Sequence, residues 1–167
     1  KSGAVMESTA KVKTVVFDKT GTLTTGVFTV AAIETLHETW NDSKILTVAA
    51  ALEKSSSHPL GAAVLEKAKQ EYIEVPVFDD VQTIPGIGVK GVFGGKCYEV
   101  CREEDGVTPR LEGASSMLLK ENGETLGRIL LRDSLRKDAV SAVALLKKMG
   151  MRVEMITGDN ESAASAV

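Results

Sequence analysis

Asp18 ends an apolar, largely β-branched stretch and is followed at once by Lys19-Thr20-Gly21-Thr22-Leu23-Thr24. A carboxylate at the carboxyl end of a buried parallel strand, ringed by backbone N–H groups and hydroxyls, can act as a nucleophile towards a phosphoryl group. The acyl phosphate so formed divides one hard hydrolysis into two easier displacements. The plainer reading of the same residues is a strand closed by an Asx-type turn, with Asp18 capping backbone.

Three other groups carry potential chemistry. In Glu53-Lys54-Ser55-Ser56-Ser57-His58-Pro59-Leu60, the proline restricts His58 to an extended conformation at a helix start and so presents its imidazole. Its plain alternative is a capping turn, with Ser57 as the cap and His58 solvated. In Pro85-Gly86-Ile87-Gly88, the two glycines permit a ligand to approach the backbone, and they equally suit a tight strand-to-strand turn. Thr157-Gly158-Asp159 offers a small hydroxyl and a free N–H of the kind a transferring phosphoryl oxygen needs.

The elements that must hold these groups fall into two patterns. Residues 12–17 and 152–156 read as parallel strands, which sets Asp18 and Thr157 at one sheet edge. Before the second strand, Leu135, Ala139, Val143 and Leu146 form an apolar stripe. Asp133 or Ser134 is placed to start that helix and Gly150 to end it. Strand, helix and strand make an α/β unit of right-handed crossover. Between its ends the pattern becomes antiparallel. A strand is expected over 27–36, helices from Asp42 or Ser43 and from Leu60, and strands over 78–84, 89–93 and 96–100. A hairpin of 116–120 with 125–131 turns at Asn122-Gly123. Residues 101–113 read as a polar loop.

The expected organisation is therefore one domain inserted in another. Residues 1–26 and 132–167 form an incomplete parallel α/β unit, and residues 27–131 form an α+β insertion with two helices on an antiparallel sheet.

Composition bounds what such a chain can do. Its 167 residues are 43% hydrophobic but only 4% aromatic, so an aliphatic core is expected. A net charge of -3 and the lack of a basic stripe argue against a nucleic-acid surface. No apolar run reaches the length of a membrane span. Lys1-Ser2-Gly3 and Ser165-Ala166-Val167 are expected to be cut points in a longer chain. Cys97 and Cys101, four steps apart on one strand, would stand about 13 Å apart, too far for a disulfide or one shared metal. Reduced thiols are expected.

Residues 18–24 resemble, at every position, the phosphorylation signature of the P-type ATPases. Thr157-Gly158-Asp159 resembles the second motif of the haloacid-dehalogenase-type fold those pumps use. Glu53 upstream of Ser56-Ser57-His58-Pro59, with Gly86-Ile87-Gly88, is similar to the nucleotide-binding domain of the heavy-metal-transporting branch. Order and spacing of all four carry the resemblance.

It implies that ATP phosphorylates Asp18, with Mg²⁺ held by Asp18 and the Thr20 carbonyl, and with Lys19, Thr157, Gly158 and Asp159 completing the catalytic group. It further implies that Glu53 reads the adenine amino group, that His58 contacts the ring, and that Ser57, Gly86 and Gly88 border the nucleotide. The implied partners are a heavy-metal cation such as copper or zinc, and the actuator and membrane domains of the same protein. This piece would then be a soluble, monomeric, cytoplasmic-side portion of a membrane protein.

Two departures from the family pattern matter. Cys101-Arg102 stands where a Gly-Asn pair is usual, which makes Arg102 a candidate phosphate contact and predicts weakened ATP affinity. The downstream lysine and acidic Mg²⁺-binding segment fall beyond Val167, so binding without turnover is expected. The alternatives are a soluble phosphatase with a cap domain, or a non-catalytic nucleotide-binding module. A second Asp two residues after the nucleophile would mark the phosphatase, and Thr20 stands there.

Overall fold

The computed structural model describes residues 11–103, 111 and 113–157. In chain order the elements are β1 (Thr14–Asp18), β2 (Thr24–Thr35), α1 (Asp42–Glu53), α2 (Pro59–Gln70), β3 (Asp79–Ile84) and β4 (Gly88–Phe93). There follow β5 (Lys96–Arg102), β6 (Ser115–Glu121), β7 (Glu124–Leu135), α3 (Ala139–Lys148) and β8 (Arg152–Ile156).

They form two sheets. β1 and β8 pair in parallel, with Asp18 opposite Ile156 at the carboxyl ends. The other sheet has six antiparallel strands in the order β2-β7-β6-β5-β4-β3. Hairpins join β3 to β4, β4 to β5 and β6 to β7, so most of the sheet follows from local turn chemistry. At the β6–β7 turn, Asn122 and Gly123 both have positive φ, 50° and 89°, which this turn needs to match strand twist. The long pairing of β2 with β7, whose members lie about a hundred residues apart in sequence, encloses the rest.

α1 and α2 cover one face of the six-stranded sheet. Ile45, Leu46, Leu52, Val64, Val100, Leu119, Ile129 and Leu131 are buried between them, an aliphatic core as the composition predicts. Gly127 lets α1 sit close, since a Cβ there would lie 2.3 Å from Ile45 Cδ1.

Some boundaries differ from the sequence pattern. α1 is capped by Asn41, whose Oδ1 accepts from Lys44 N at 2.9 Å, rather than by Asp42 or Ser43. α3 begins at Ala139, so Asp133, Ser134 and Leu135 are strand. The apolar spacing of Leu135 mimics a helix stripe, but pairing of β7 with β2 extends through it. Cys101 and Arg102 also belong to β5, held by pairing with β6. Residues 104–110 of the expected loop lie outside the described residues.

Candidate active site and nucleotide pocket

Asp18 is exposed at the last position of β1, and the chain after it makes a compact turn through residues 19–23. That turn is held from a distance. Gly21, at φ 79°, donates its N–H to Thr24 Oγ1 at 3.2 Å. Thr24 is fully buried, and its hydroxyl donates to Asp133 Oδ2 at 2.5 Å. Gly26 N–H donates to the other oxygen of Asp133 at 3.0 Å. Arg136 Nη2 donates to Gly21 O at 3.0 Å, and Arg136 N to Leu23 O at 3.0 Å.

The Gly21 carbonyl is thus held directly by Arg136, just past β7, and its N–H is held through Thr24, which Asp133 of β7 fixes from more than a hundred residues away. The sequence reading had Thr24 inside the 18–24 signature but missed Asp133 and Arg136 as its partners. The available signal was the closely spaced charges Asp133 and Arg136, of which Asp133 reads from sequence as a helix cap. Lys19 is buried, and Thr157 follows β8 directly, beside the end of β1. Gly158 and Asp159 lie outside the described residues.

A cavity of about 760 Å³ lies at the end of the six-stranded sheet. Glu53, Ser57, His58, Gly86, Gly88 and Arg102 all border it, and so does Thr20, two residues from Asp18. The expected nucleotide residues and the phosphorylation loop therefore face one space.

Glu53 closes α1 and is only 3% exposed, and its Oε2 finds no hydrogen-bond partner. An unpartnered buried carboxylate oxygen is costly and suited to a donor brought by a ligand. Burial pushes the Glu53 carboxyl above its ordinary range, against smaller opposing effects from Ser56 and His58. Gly61 on α2 makes the room, since a Cβ there would lie 2.2 Å from Glu53 Oε2.

His58 is itself the N-cap of α2, correcting the expectation for Ser57. Its Nδ1 accepts from Leu60 N at 3.2 Å, and its own N–H donates to Ser56 Oγ at 3.1 Å. With Nδ1 accepting, the neutral ring carries its proton on Nε2. The exposed ring is pinned by its own helix.

The glycines divide their work. Gly86 has φ 75° and open space around it, so it serves the turn. Gly88, at φ 156°, lies against β5, where a Cβ would come within 1.9 Å of Val100 O. Its bareness serves strand approach as well as the pocket wall. Among the described residues no three His, Cys, Asp or Glu side chains gather as a metal site, and both cysteines are free. Asp18 and the Thr20 carbonyl are hard oxygen donors of the type Mg²⁺ prefers, and they supply part of a coordination shell.

A parallel strand pair ending at Asp18 and Ile156, with the 18–24 loop leading from β1 into a separate six-stranded sheet, defines a hydrolase-type α/β class of protein. The family model for haloacid dehalogenase-like hydrolases matches residues 12–167, and the chain belongs to that family. Within it, the chain is similar along its whole length to metal-pump ATPases. It is 34% identical over 176 residues to the zinc/cadmium/lead-transporting P-type ATPase of Escherichia coli (strain K12), covering 100% of this chain and 24% of that protein. It is 33% identical over 172 residues to the copper-exporting P-type ATPase B of Archaeoglobus fulgidus, covering 96% of this chain and 25% of the other.

Among solved structures, the catalytic domain of the CPx-ATPase CopB-B, studied for its changes on nucleotide binding, superposes with a TM-score of 0.79 at 29% identity. That match covers 99% of this chain and 60% of the other. A zinc-transporting PIB-type ATPase in its E2.Pi state gives 0.70 at 33% identity, over 99% of this chain and 29% of that one. The chain spans about a quarter of the length of the curated relatives it matches. Among the described residues no helix is long and apolar enough to cross a membrane.

Proposed function

We propose that this chain is the ATP-binding catalytic segment of a heavy-metal cation pump. Residues 27–131 would act as its nucleotide-binding domain, and residues 1–26 with 132–167 as part of its phosphorylation domain. The observation that carries this reading is that Glu53, His58 and Thr20 of the Asp18 loop all border one cavity. A nucleotide lying along it would direct its base to the unpartnered Oε2 of Glu53 and its phosphates towards Asp18.

In the longer protein an Asp18 carboxylate oxygen attacks the γ-phosphorus in line. The bond from that phosphorus to the β–γ bridging oxygen breaks, and ADP leaves with the electron pair. Water then attacks the phosphorus of the acyl phosphate, releasing inorganic phosphate and restoring Asp18. Lys19 and Thr157 neutralise and orient the transferring group; Gly158 and Asp159 join this assignment through the sequence motif alone. Asp18 and Thr20 would hold part of the Mg²⁺ shell, and the ion when bound supplies charge neutralisation at the phosphate oxygens. The clasp of Thr24, Asp133 and Arg136 keeps the loop in one shape. Metal passage across a membrane, and the actuator and membrane domains that perform it, belong to the longer protein.

The test uses ATP labelled in the γ-phosphate. The full-length protein is expected to form a hydroxylamine-labile phosphoenzyme that Asp18→Asn abolishes. The 167-residue chain is expected to bind ATP without forming it. Label on Asp18 in the short chain, or label in full-length Asp18→Asn, would overturn the assignment.

A further inference from the structure

A buried charge cluster sits beside the cavity and plays no part in the roles given above. Glu103, directly after β5, takes a bidentate contact from Arg128 of β7. Arg128 Nε lies 3.0 and 2.9 Å from its two oxygens, and Nη2 lies 2.5 Å from Oε1. Ser116 Oγ of β6 donates to Glu103 Oε2 at 2.6 Å, and Arg128 Nη1 donates to Glu34 Oε2 of β2 at 2.7 Å. The Glu103 and Arg128 side chains are 6% and 12% exposed. Forming such a cluster costs desolvation, and breaking one side of it costs more.

Its position suggests a purpose. Ile33, Met117 and Ile129 pack with the helix-side core, so their neighbours Glu34, Ser116 and Arg128 lie on the other face of the sheet. Glu103 is drawn to that face. By strand alternation Arg102 belongs with Val100 on the helix side, where α1 ends at Glu53. On its other flank the Arg102 N–H donates to Ile87 O, between the two glycines, at 3.2 Å. The backbone of Arg102 is thus pinned on both sides. Among the described residues lining the cavity, Arg102 is the one lysine or arginine. Glu103 also borders the cavity, and a bare carboxylate there would repel an anion; Arg128 and Ser116 occupy it.

We infer that Glu103 and Arg128 are positioning residues that hold Arg102 at the cavity for the polyphosphate of the nucleotide, the only anionic part of that ligand. This rests on the nucleotide reading of the cavity.

The test is a double-mutant cycle read with ATP and with adenosine, which lacks phosphate. Glu103→Gln is expected to weaken ATP roughly tenfold, the scale of one charge-assisted contact, and adenosine less than about twofold. In an Arg102→Ala background the same substitution should change ATP affinity by less than about twofold. The triple change Glu34→Gln, Glu103→Leu and Arg128→Met removes all three charges of the cluster at similar volume, an exchange that is often near neutral for stability, and should give the same pattern if Glu103→Gln fails to fold. Equal losses for ATP and adenosine, a full effect in the Arg102→Ala background, or unchanged ATP affinity would each overturn the inference. Wild-type protein that binds neither ligand would instead overturn the nucleotide reading, and the inference with it.

Discussion

The six-stranded sheet and the parallel pair are built to different degrees of closure. Around β5, β6 and β7 the apolar side chains are shut away under α1 and α2, and Ile129 and Leu131 have no exposed surface. On the parallel pair, Val16 is 55% and Ile156 63% exposed, and Val140 and Leu145 of the adjoining helix, with Met149 just after it, stand open as well. Parallel strands normally have both faces covered. The difference teaches that the proposed pocket rests on apolar side chains shut away among the described residues, while Asp18, the proposed nucleophile, rests on strands whose apolar side chains stand open. Binding and phosphoryl transfer should therefore separate in this chain.

The largest expected effect contrasts the two regions directly. Ile129→Ala should cost about 2–5 kcal/mol of unfolding free energy, because it empties a fully buried site. Val16→Ala should cost less than about 1 kcal/mol, with most of that side chain already in water. Urea unfolding of both variants measures this, and equal costs would erase the distinction between closed and open core.

The glycines sharpen the comparison within the pocket wall. Gly88→Ala forces a Cβ into the Val100 carbonyl and should cost more than about 2 kcal/mol. Gly86→Ala meets open space and only the positive-φ strain, about 1 kcal/mol. Comparable losses at the two positions would mean that the β4–β5 approach is softer than described.

Next in size is the Glu53 carboxyl, raised by burial from its ordinary 4.5. The folded chain then holds that proton more tightly than the unfolded chain does. Stability falls as pH rises from 4.5 through the folded value, and the full cost is present above it. Glu53→Gln should unfold at higher urea than wild type at pH 7, with the advantage shrinking towards pH 4. A constant difference across that range would show that ionisation of Glu53 carries no cost.

The smallest effect is at His58. Replacing it with Ala removes one cap hydrogen bond and should cost about 0.5–1 kcal/mol, visible as a small drop in urea midpoint. A loss several times larger would mean that the imidazole supports more than the start of α2.

What the sequence disclosed follows range in the chain. The Asn122-Gly123 hairpin, the two helices at Asp42 and Pro59, and the strand at Arg152–Ile156 declare themselves through local turn residues and periodicity. The end of the strand at Asp18 and the cluster of Glu53 with His58 were also legible, because loop chemistry marks them. The clasp of Asp133 and Arg136 on the Gly21 turn was not. Its partners lie more than a hundred residues apart, and Leu135 imitates a helix stripe. Glu103 with Arg128 was hidden for the same reason, since two charges 25 residues apart carry no signature until β5, β6 and β7 align. The caps at Asn41 and His58 were missed by one residue each, where neighbouring polar residues competed for the role.

The most direct test is calorimetric titration of ATP into the 167-residue chain, alongside Asp18→Asn and Glu53→Ala. Affinity is expected to stay within about twofold in Asp18→Asn and to fall by about tenfold or more in Glu53→Ala, which loses the buried carboxylate. ATP binding that vanishes with Asp18→Asn, or that persists unchanged in Glu53→Ala, would contradict a pocket housed in the closed region of the molecule.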